Sequence, residues 1–285
     1  MLRSLAALVA FACLLAASTP GHAQDEVAGE APPRLEWQPG PLVAPIADGL
    51  AEIDVPQGFV FLDQAGTAQL MELTGNPVGG TEVATIAPTE GGDWFVIFEW
   101  DEIGWVDDSE QDALDTEAML TSLQRGNEAA NEERRKRGWS TLELVGWAEP
   151  PHYDPETNNL TWSIEGRSEG QVVLNRLVKL LGRRGVMSAT LVGSPEELVG
   201  ATPQVDAMLA DYRFRPGSTY AEYLPGTDTA AKVGLTALVV GGGAAALAKS
   251  GLLAKFWKPL AVGAVALLAG LKRLFGRGRK EEAAG

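Results

Sequence analysis

His22 and His152 are the only histidines in the 285-residue chain. His22 falls in an N-terminal segment expected to be cleaved, so His152 is the one imidazole left to do chemistry. It sits in Pro150-Pro151-His152-Tyr153-Asp154, read as a proline-rich loop between two strands. A single histidine excludes a metal centre built on imidazoles. A Ser-His-Asp triad through His152 would need a marked nucleophile; no Ser-x-x-Lys motif occurs, and the one Gly-x-Ser-x-Gly spacing, Gly166-Arg167-Ser168-Glu169-Gly170, joins two segments of strand pattern and so lacks the strand-to-helix turn of a nucleophile elbow. The acids Asp101, Glu102, Asp107, Asp108, Glu110, Asp112, Asp115 and Glu117 lack the alternating spacing and central glycine of a calcium loop, and acids before a helix already complement its dipole. No metal, cofactor or catalytic residue is therefore assigned. If carboxylates act as general acid and base, Glu149 and Asp154 are the pair that flanks one loop. That loop also holds an aromatic and proline cluster suited to contact, so the candidate binding residues are Trp147, Pro150, Pro151, His152, Tyr153 and Asp154.

These residues are positioned by an alternating apolar pattern. Trp94 to Trp100 is apolar on both alternations, as a central strand covered on both faces would be. Leu142 to Ala148, Leu160 to Glu165, Val172 to Leu180 and Val186 to Val192 read as an antiparallel meander, the last two joined through Gly182-Arg183-Arg184-Gly185. Asp63 to Leu73 reads as a short helix. Ser109 with Asp112 resembles a capping box opening a long helix to Arg137, whose basic end at Glu128 to Arg137 suits a helix C-terminus. Ser194-Pro195-Glu196-Glu197 gives a cap, a first-turn proline and an acid in order, and Thr202-Pro203 repeats the start signal before Val205, Met208, Leu209 and Tyr212. The fold class is α+β, helices packed on a mostly antiparallel sheet. Trp94, Trp100, Trp105, Trp139, Trp147 and Trp162 are mainly core residues on this reading, although a tryptophan-lined groove for a glycan or peptide would also be rich in them.

The two ends point to export and a membrane. Arg3, the apolar stretch from Leu5 to Ala17 and the small residues Gly21 and Ala23 have the layout of a signal peptide over residues 1–23. Cys13, the single cysteine, lies inside it, so the mature chain would have no disulfide. Residues 24–48 read as a flexible lead-in, 49–215 as the extracytoplasmic domain and 216–229 as a linker. Residues 230–248 are almost wholly apolar and at about 1.5 Å per residue reach roughly 28 Å, the length of a transmembrane helix. The basic residues beyond them mark residues 249–285 as a cytoplasmic flank. Within it Lys255, Lys258, Lys272 and Arg273 share one arc of roughly 100° on a helix, as in an amphipathic segment lying on lipid. The alternative is a second crossing by residues 252–271.

The chain carries a net charge of −15, and residues 24–229 hold 36 acidic against 13 basic side chains. Phosphate backbones repel such a surface, which disfavours nucleic acid as a partner. The partners expected are membrane lipids and an envelope protein or a second copy meeting through the glycine-rich span.

Gly91-Gly92-Asp93-Trp94, Gly138-Trp139, Gly146 to Pro151 with Tyr153-Asp154, Leu160-Thr161-Trp162, Asn175-Arg176, Leu180 to Gly185 and Tyr212 to Gly217 together resemble an uncharacterised bacterial family of membrane-anchored proteins, known as a domain of unknown function. The resemblance implies an exported domain with a C-terminal helical anchor, and brings no activity or catalytic residue. The leading expectation is a non-catalytic, membrane-anchored binding or scaffolding protein of the bacterial envelope, at the inner membrane with its main domain periplasmic. An envelope hydrolase using a carboxylate pair and a ligand sensor signalling through the transmembrane helix are the alternatives.

Overall fold

The structure is a computed structural model that describes residues 35–73, 78–136 and 140–241. The expected signal peptide, residues 24–34 of the expected lead-in, and Lys255, Lys258, Lys272 and Arg273 lie outside them. In chain order the strands are β1 (Gln38–Pro39), β2 (Leu42–Ile46), β3 (Ala51–Val55), β4 (Phe59–Leu62), β5 (Glu82–Pro88), β6 (Phe95–Asp101), β7 (Glu143–Asp154), β8 (Asn159–Ser168), β9 (Gln171–Leu181), β10 (Val186–Gly193) and β11 (Arg213–Phe214). The helices are α1 (Gln64–Leu73), α2 (Thr116–Lys136), α3 (Pro195–Ala210) and α4 (Leu235–Val240).

Eight strands form one antiparallel sheet in the order β1-β4-β5-β6-β10-β9-β8-β7. The expected α+β class, the meander and the central place of β6 are all present. Because side chains alternate along each strand, the sheet has two distinct faces. On one, Val96, Phe98, Met187, Ala189, Leu191, Val178 and Leu180 pack under α3 through Leu198, Ala201, Val205 and Met208. On the other, Phe95, Ile97 and Val192 pack under α1, while Leu160, Trp162, Leu177, Leu181 and Val186 pack under α2 and α4.

The helix starts follow local chemistry. Ser194 Oγ accepts from the Glu197 N–H (3.3 Å) and Glu197 Oε2 accepts from the Ser194 N–H (2.9 Å), the reciprocal cap expected. The second start signal at Thr202-Pro203 does not begin a helix, because Pro203 lies inside α3. α2 does not start at Ser109 either. Leu114 is extended (ψ 106°) after a short 3₁₀ turn, and Asp115 Oδ1 instead accepts from the Ala118 N–H at 2.9 Å. α2 is fastened to the chain entering β7 by Asn131, whose Nδ2 donates to Leu142 O (2.6 Å) and whose Oδ1 accepts from the Leu142 N–H (3.0 Å). Asn131→Ala leaves that N–H without its partner and is expected to cost about 1–3 kcal/mol, read as a lower urea midpoint with an unchanged slope.

Two segments expected to be loose are folded. The stretch read as lead-in supplies β1 and β2, and β2 joins a second sheet of order β11-β3-β2 that covers α3's side of the core with Ala44, Ile46, Ala51, Ile53 and Val55. The stretch read as linker is pinned across the other side. Arg183 clasps Asp228 through Nε (2.7 Å) and Nη2 (3.0 Å), and it holds the Asp228 carboxyl below the usual carboxylate range. The Trp105 N–H donates to Thr229 O (2.9 Å) while Trp105 O accepts from the Ala231 N–H (2.7 Å). The Trp105 ring stacks on Tyr223 with centroids 4.3 Å apart. Gly104 (φ +93°) permits this approach, since a Cβ there would lie 2.6 Å from Thr229 O.

The pinning extends into the expected span. Leu235 (0 % exposed) and Val239 (4 %) lie in the core with Val106, Met119 and Leu123. Glu110 Oε2 accepts the Thr236 N–H at 3.0 Å. Residues 230–240 thus belong to the folded body, because an apolar stripe at helical spacing is buried as well by a protein groove as by lipid. Residues 242–248 of that span lie outside the described residues. Among the described residues no helix is long and apolar enough to cross a membrane.

Candidate functional site

β7 is an edge strand, and the segment read as a loop is its second half. Pro150 and Pro151 fall in a register irregularity between Glu149 and His152. An edge tolerates prolines because its outward N–H groups have no ladder partner, and they also block a further strand from pairing there. Alternation then divides the other four candidate binding residues. His152 and Asp154 oppose Thr161 and Asn159 on the α3 side of the sheet, whereas Trp147 and Tyr153 oppose Ile164 and Leu160 on the α2 side.

Trp147 and Tyr153 are structural. Trp147 Nε1 donates to Thr116 O (3.0 Å), holding the first turn of α2. The Tyr153 hydroxyl donates to Asp108 Oδ2 (2.9 Å) and accepts from Asn158 Nδ2 (3.1 Å). Burial, with the nearby Asp108 carboxylate adding to it, keeps that phenol well above its ordinary pKa. Trp147→Phe is expected to remove one hydrogen bond and about 1 kcal/mol; guanidinium unfolding would measure it.

On the α3 side a groove of about 430 Å³ opens between β7–β9 and the C-terminal end of α3. Val178, Leu180, Leu209 and Phe214 give it an apolar lining. Its one arginine is engaged by two carboxylates, and its other carboxylate by a turn. Arg176 Nη1 lies 2.8 Å from Asp206 Oδ1 and Arg176 Nε 3.9 Å from Glu149 Oε2, while His152 Nδ1 lies 3.6 Å from Glu149 Oε1. Asp154 Oδ1 accepts from the Glu156 N–H (2.9 Å) and Oδ2 from Thr157 Oγ1 (2.8 Å); the Thr157 hydroxyl is the main reason its carboxyl stays below the usual range. Glu149 and Asp154 thus each serve a separate local network. Three buried polar atoms bordering the groove have no hydrogen-bond partner among the described residues: Asn159 Oδ1, the Tyr212 hydroxyl, and Arg176 Nη1, whose approach to Asp206 is an ion pair without hydrogen-bond geometry. Desolvation pushes the Tyr212 phenol well above its ordinary pKa.

Of these residues, sequence reasoning singled out His152 and Asp154 as site candidates and left Asn159, Arg176, Asp206 and Tyr212 unassigned to any site. The available signal was Arg176, a lone cation within the apolar alternation Leu174, Val178, Leu180.

A second polar cluster lies between α1 and α2 on the opposite face. Glu82, Glu99, Ser188 and Lys179 form one cross-strand row through β5, β6, β10 and β9. Lys179 Nζ donates to Ser188 Oγ at 2.5 Å. Ser188 is 2 % exposed, so this contact fastens two strands and offers no nucleophile to a substrate. Glu82 accepts the N–H groups of Gly79 and Gly80, each at 2.8 Å. Burial pushes the Glu99 carboxyl up to about 7, with Lys179 opposing the shift and Asp101 and Glu82 reinforcing it.

A family model described as "Protein of unknown function (DUF2167)" matches residues 38–272. The chain belongs to this family. The DUF2167 match opens at β1 and so takes in both sheets, the groove and the pinned segment. No curated protein matches the chain. Among solved structures it is similar to the solution structure of cyanobacterial PsbP (CyanoP) from Synechocystis sp. PCC 6803, at 12 % identity and a TM-score of 0.38 over 61 % of this chain and 91 % of that one.

Proposed function

We propose that this DUF2167 protein is a non-catalytic binding module of the bacterial envelope, exported by its N-terminal segment and tethered to the inner membrane by apolar residues beyond Gly241. Its site is the groove between α3 and β7–β9, and its ligand is neutral and amphipathic. The pairing of charges around the groove carries this reading. Arg176 is the one permanent cation among them and is already engaged by Asp206 and Glu149, while Asp154 is held by a turn, so an anionic ligand would be desolvated there without an unspent counter-charge, at a cost of several kcal/mol. A neutral ligand would instead lay apolar surface on Val178, Leu180 and Leu209 and, with a small shift of the groove wall that covers both atoms, exchange hydrogen bonds with the Asn159 carbonyl oxygen and the Tyr212 hydroxyl. A partly acetylated glycan or a neutral peptide has that character.

Tyr212→Phe separates binding from stability. It removes a buried hydroxyl that has no partner, so the free protein is expected to be as stable as the parent or more so, while affinity falls about tenfold for one lost hydrogen bond. The measurement is a thermal-shift screen of neutral and charged glycans and peptides on the full chain in detergent, followed by titration of the hits. Hits restricted to charged ligands, or a neutral hit indifferent to both Tyr212→Phe and Asn159→Leu, would overturn the groove assignment.

A further inference from the structure

We infer that the α4 side of the domain is its membrane-proximal surface, so that the groove, on the opposite face of the sheet, opens away from the bilayer. The inference rests on the tether proposed above. Its basis is the path of the chain. Residues 216–229 would, as a free spacer, reach about 45–50 Å when extended, and the domain could then take any orientation. They are instead tied down along their length. The Arg183 N–H donates to Ser218 O (3.0 Å), Arg183 clasps Asp228, Trp105 pairs with Thr229 and Ala231, and Glu110 receives the Thr236 N–H. Leu235 and Val239 are buried, and Gly241 (φ +92°) closes α4 with its N–H on Ala237 O. The chain therefore leaves the body at a fixed point.

The apolar sequence resumes directly beyond that point. Gly242 to Ala248 is uncharged, and Leu252 to Leu271 is interrupted only by Lys255 and Lys258. Hydrophobic attachment thus begins next to the last pinned turn, and the surface around α4 must approach the lipid. That surface carries the half-exposed Leu224 and the partly exposed Val233, Leu238 and Val240, with Lys232 the cation beside them. Alternation along two strands then orients the groove. Leu160 and Trp162 of β8 and Leu177 of β9 lie in the α4 core, whereas their neighbours Asn159, Thr161, Arg176 and Val178 border the groove. Ligands would approach from the side opposite the membrane.

The test uses the full chain with Cys13→Ser and a single fluorophore at Leu224→Cys, Lys232→Cys or Val199→Cys. Leu224 is 51 % and Val199 80 % exposed, the latter on α3. Each labelled protein is floated with phosphatidylcholine vesicles that contain anionic lipid and headgroup nitroxides. Labels at 224 and 232 are expected to be quenched several-fold more than the label at 199. Flotation with equal quenching at all three positions overturns the surface assignment. Failure to float overturns the tether reading beneath it, and so distinguishes the two. A long Gly-Ser insertion after Gly241 should preserve flotation and abolish the contrast; a contrast that survives would mean the pinned chain path does not set the orientation.

Discussion

Leu235→Ala is expected to destabilise the full chain by about 2–5 kcal/mol, the range for truncating a fully buried leucine, although sequence places this residue in a span outside the domain. Leu235 has no exposed surface and packs in the cluster containing Val106, Met119, Leu123, Leu160 and Trp162. Its loss removes about three methyl or methylene groups' worth of burial and leaves a cavity, which the surrounding strands, fixed by hydrogen bonds, cannot collapse to fill. Val239→Ala should act in the same direction and less strongly. Lys232→Ala, exposed in the same segment, should stay within about 0.5 kcal/mol of the parent. Urea unfolding in mild detergent, followed by tryptophan fluorescence, separates these outcomes. An unchanged midpoint for Leu235→Ala would mean that residues 230–240 do not belong to the folded body.

Glu99→Gln is expected to stabilise the protein at pH 8 and leave it nearly unchanged at pH 4. The Glu99 carboxyl titrates near 7 in the folded chain against an ordinary value of 4.5. The native state therefore keeps a proton that the unfolded chain releases, and between those values stability falls as pH rises. The contribution is fully present below about 4.5 and lost above about 7, with a size of up to about 3 kcal/mol. Glutamine keeps the neutral form at every pH and so removes the loss. The charged neighbours are Glu82, Asp101 and Lys179, and their order of influence follows burial, with the lysine opposing it. Asp228, Glu222 and Asp154 run the other way, since hydrogen bonds from Arg183, Thr219 and Thr157 lower their values, and the stability they add is lost as pH falls toward the acid range. Thermal unfolding of parent and variant from pH 4 to 9 would show two curves that diverge on the alkaline side. Parallel curves would rule out Glu99 as the group responsible.

Burial patterning made the main sheet legible. Trp94 to Trp100 is apolar on both alternations because β6 has α1 on one face and α3's core on the other. The Ser194 cap was readable because all of its hydrogen bonds lie within four residues. The second sheet was not, since β11 pairs with β3 at a separation of some 160 residues and two-residue strands leave no period to detect. The second half of the edge strand β7 reads as a loop because prolines are local signals of irregular chain, and only its position at the rim of the sheet makes them compatible with pairing.

The sequence by itself determined the α+β class, the order and direction of the meander, the family, and an acidic body followed by an apolar and basic end. Those features depend on composition and short-range period, which each segment carries alone. Tertiary structure decided which side of β7 each candidate faces, the meeting of Asn159, Arg176, Asp206 and Tyr212 around one groove, and the docking of residues 216–241. An apolar helix turn looks the same whether lipid or protein will bury it. What assigned Leu235 and Val239 to the domain was the space left between α2 and the sheet, and the clasp of Arg183 on Asp228 that brings the chain back to fill it.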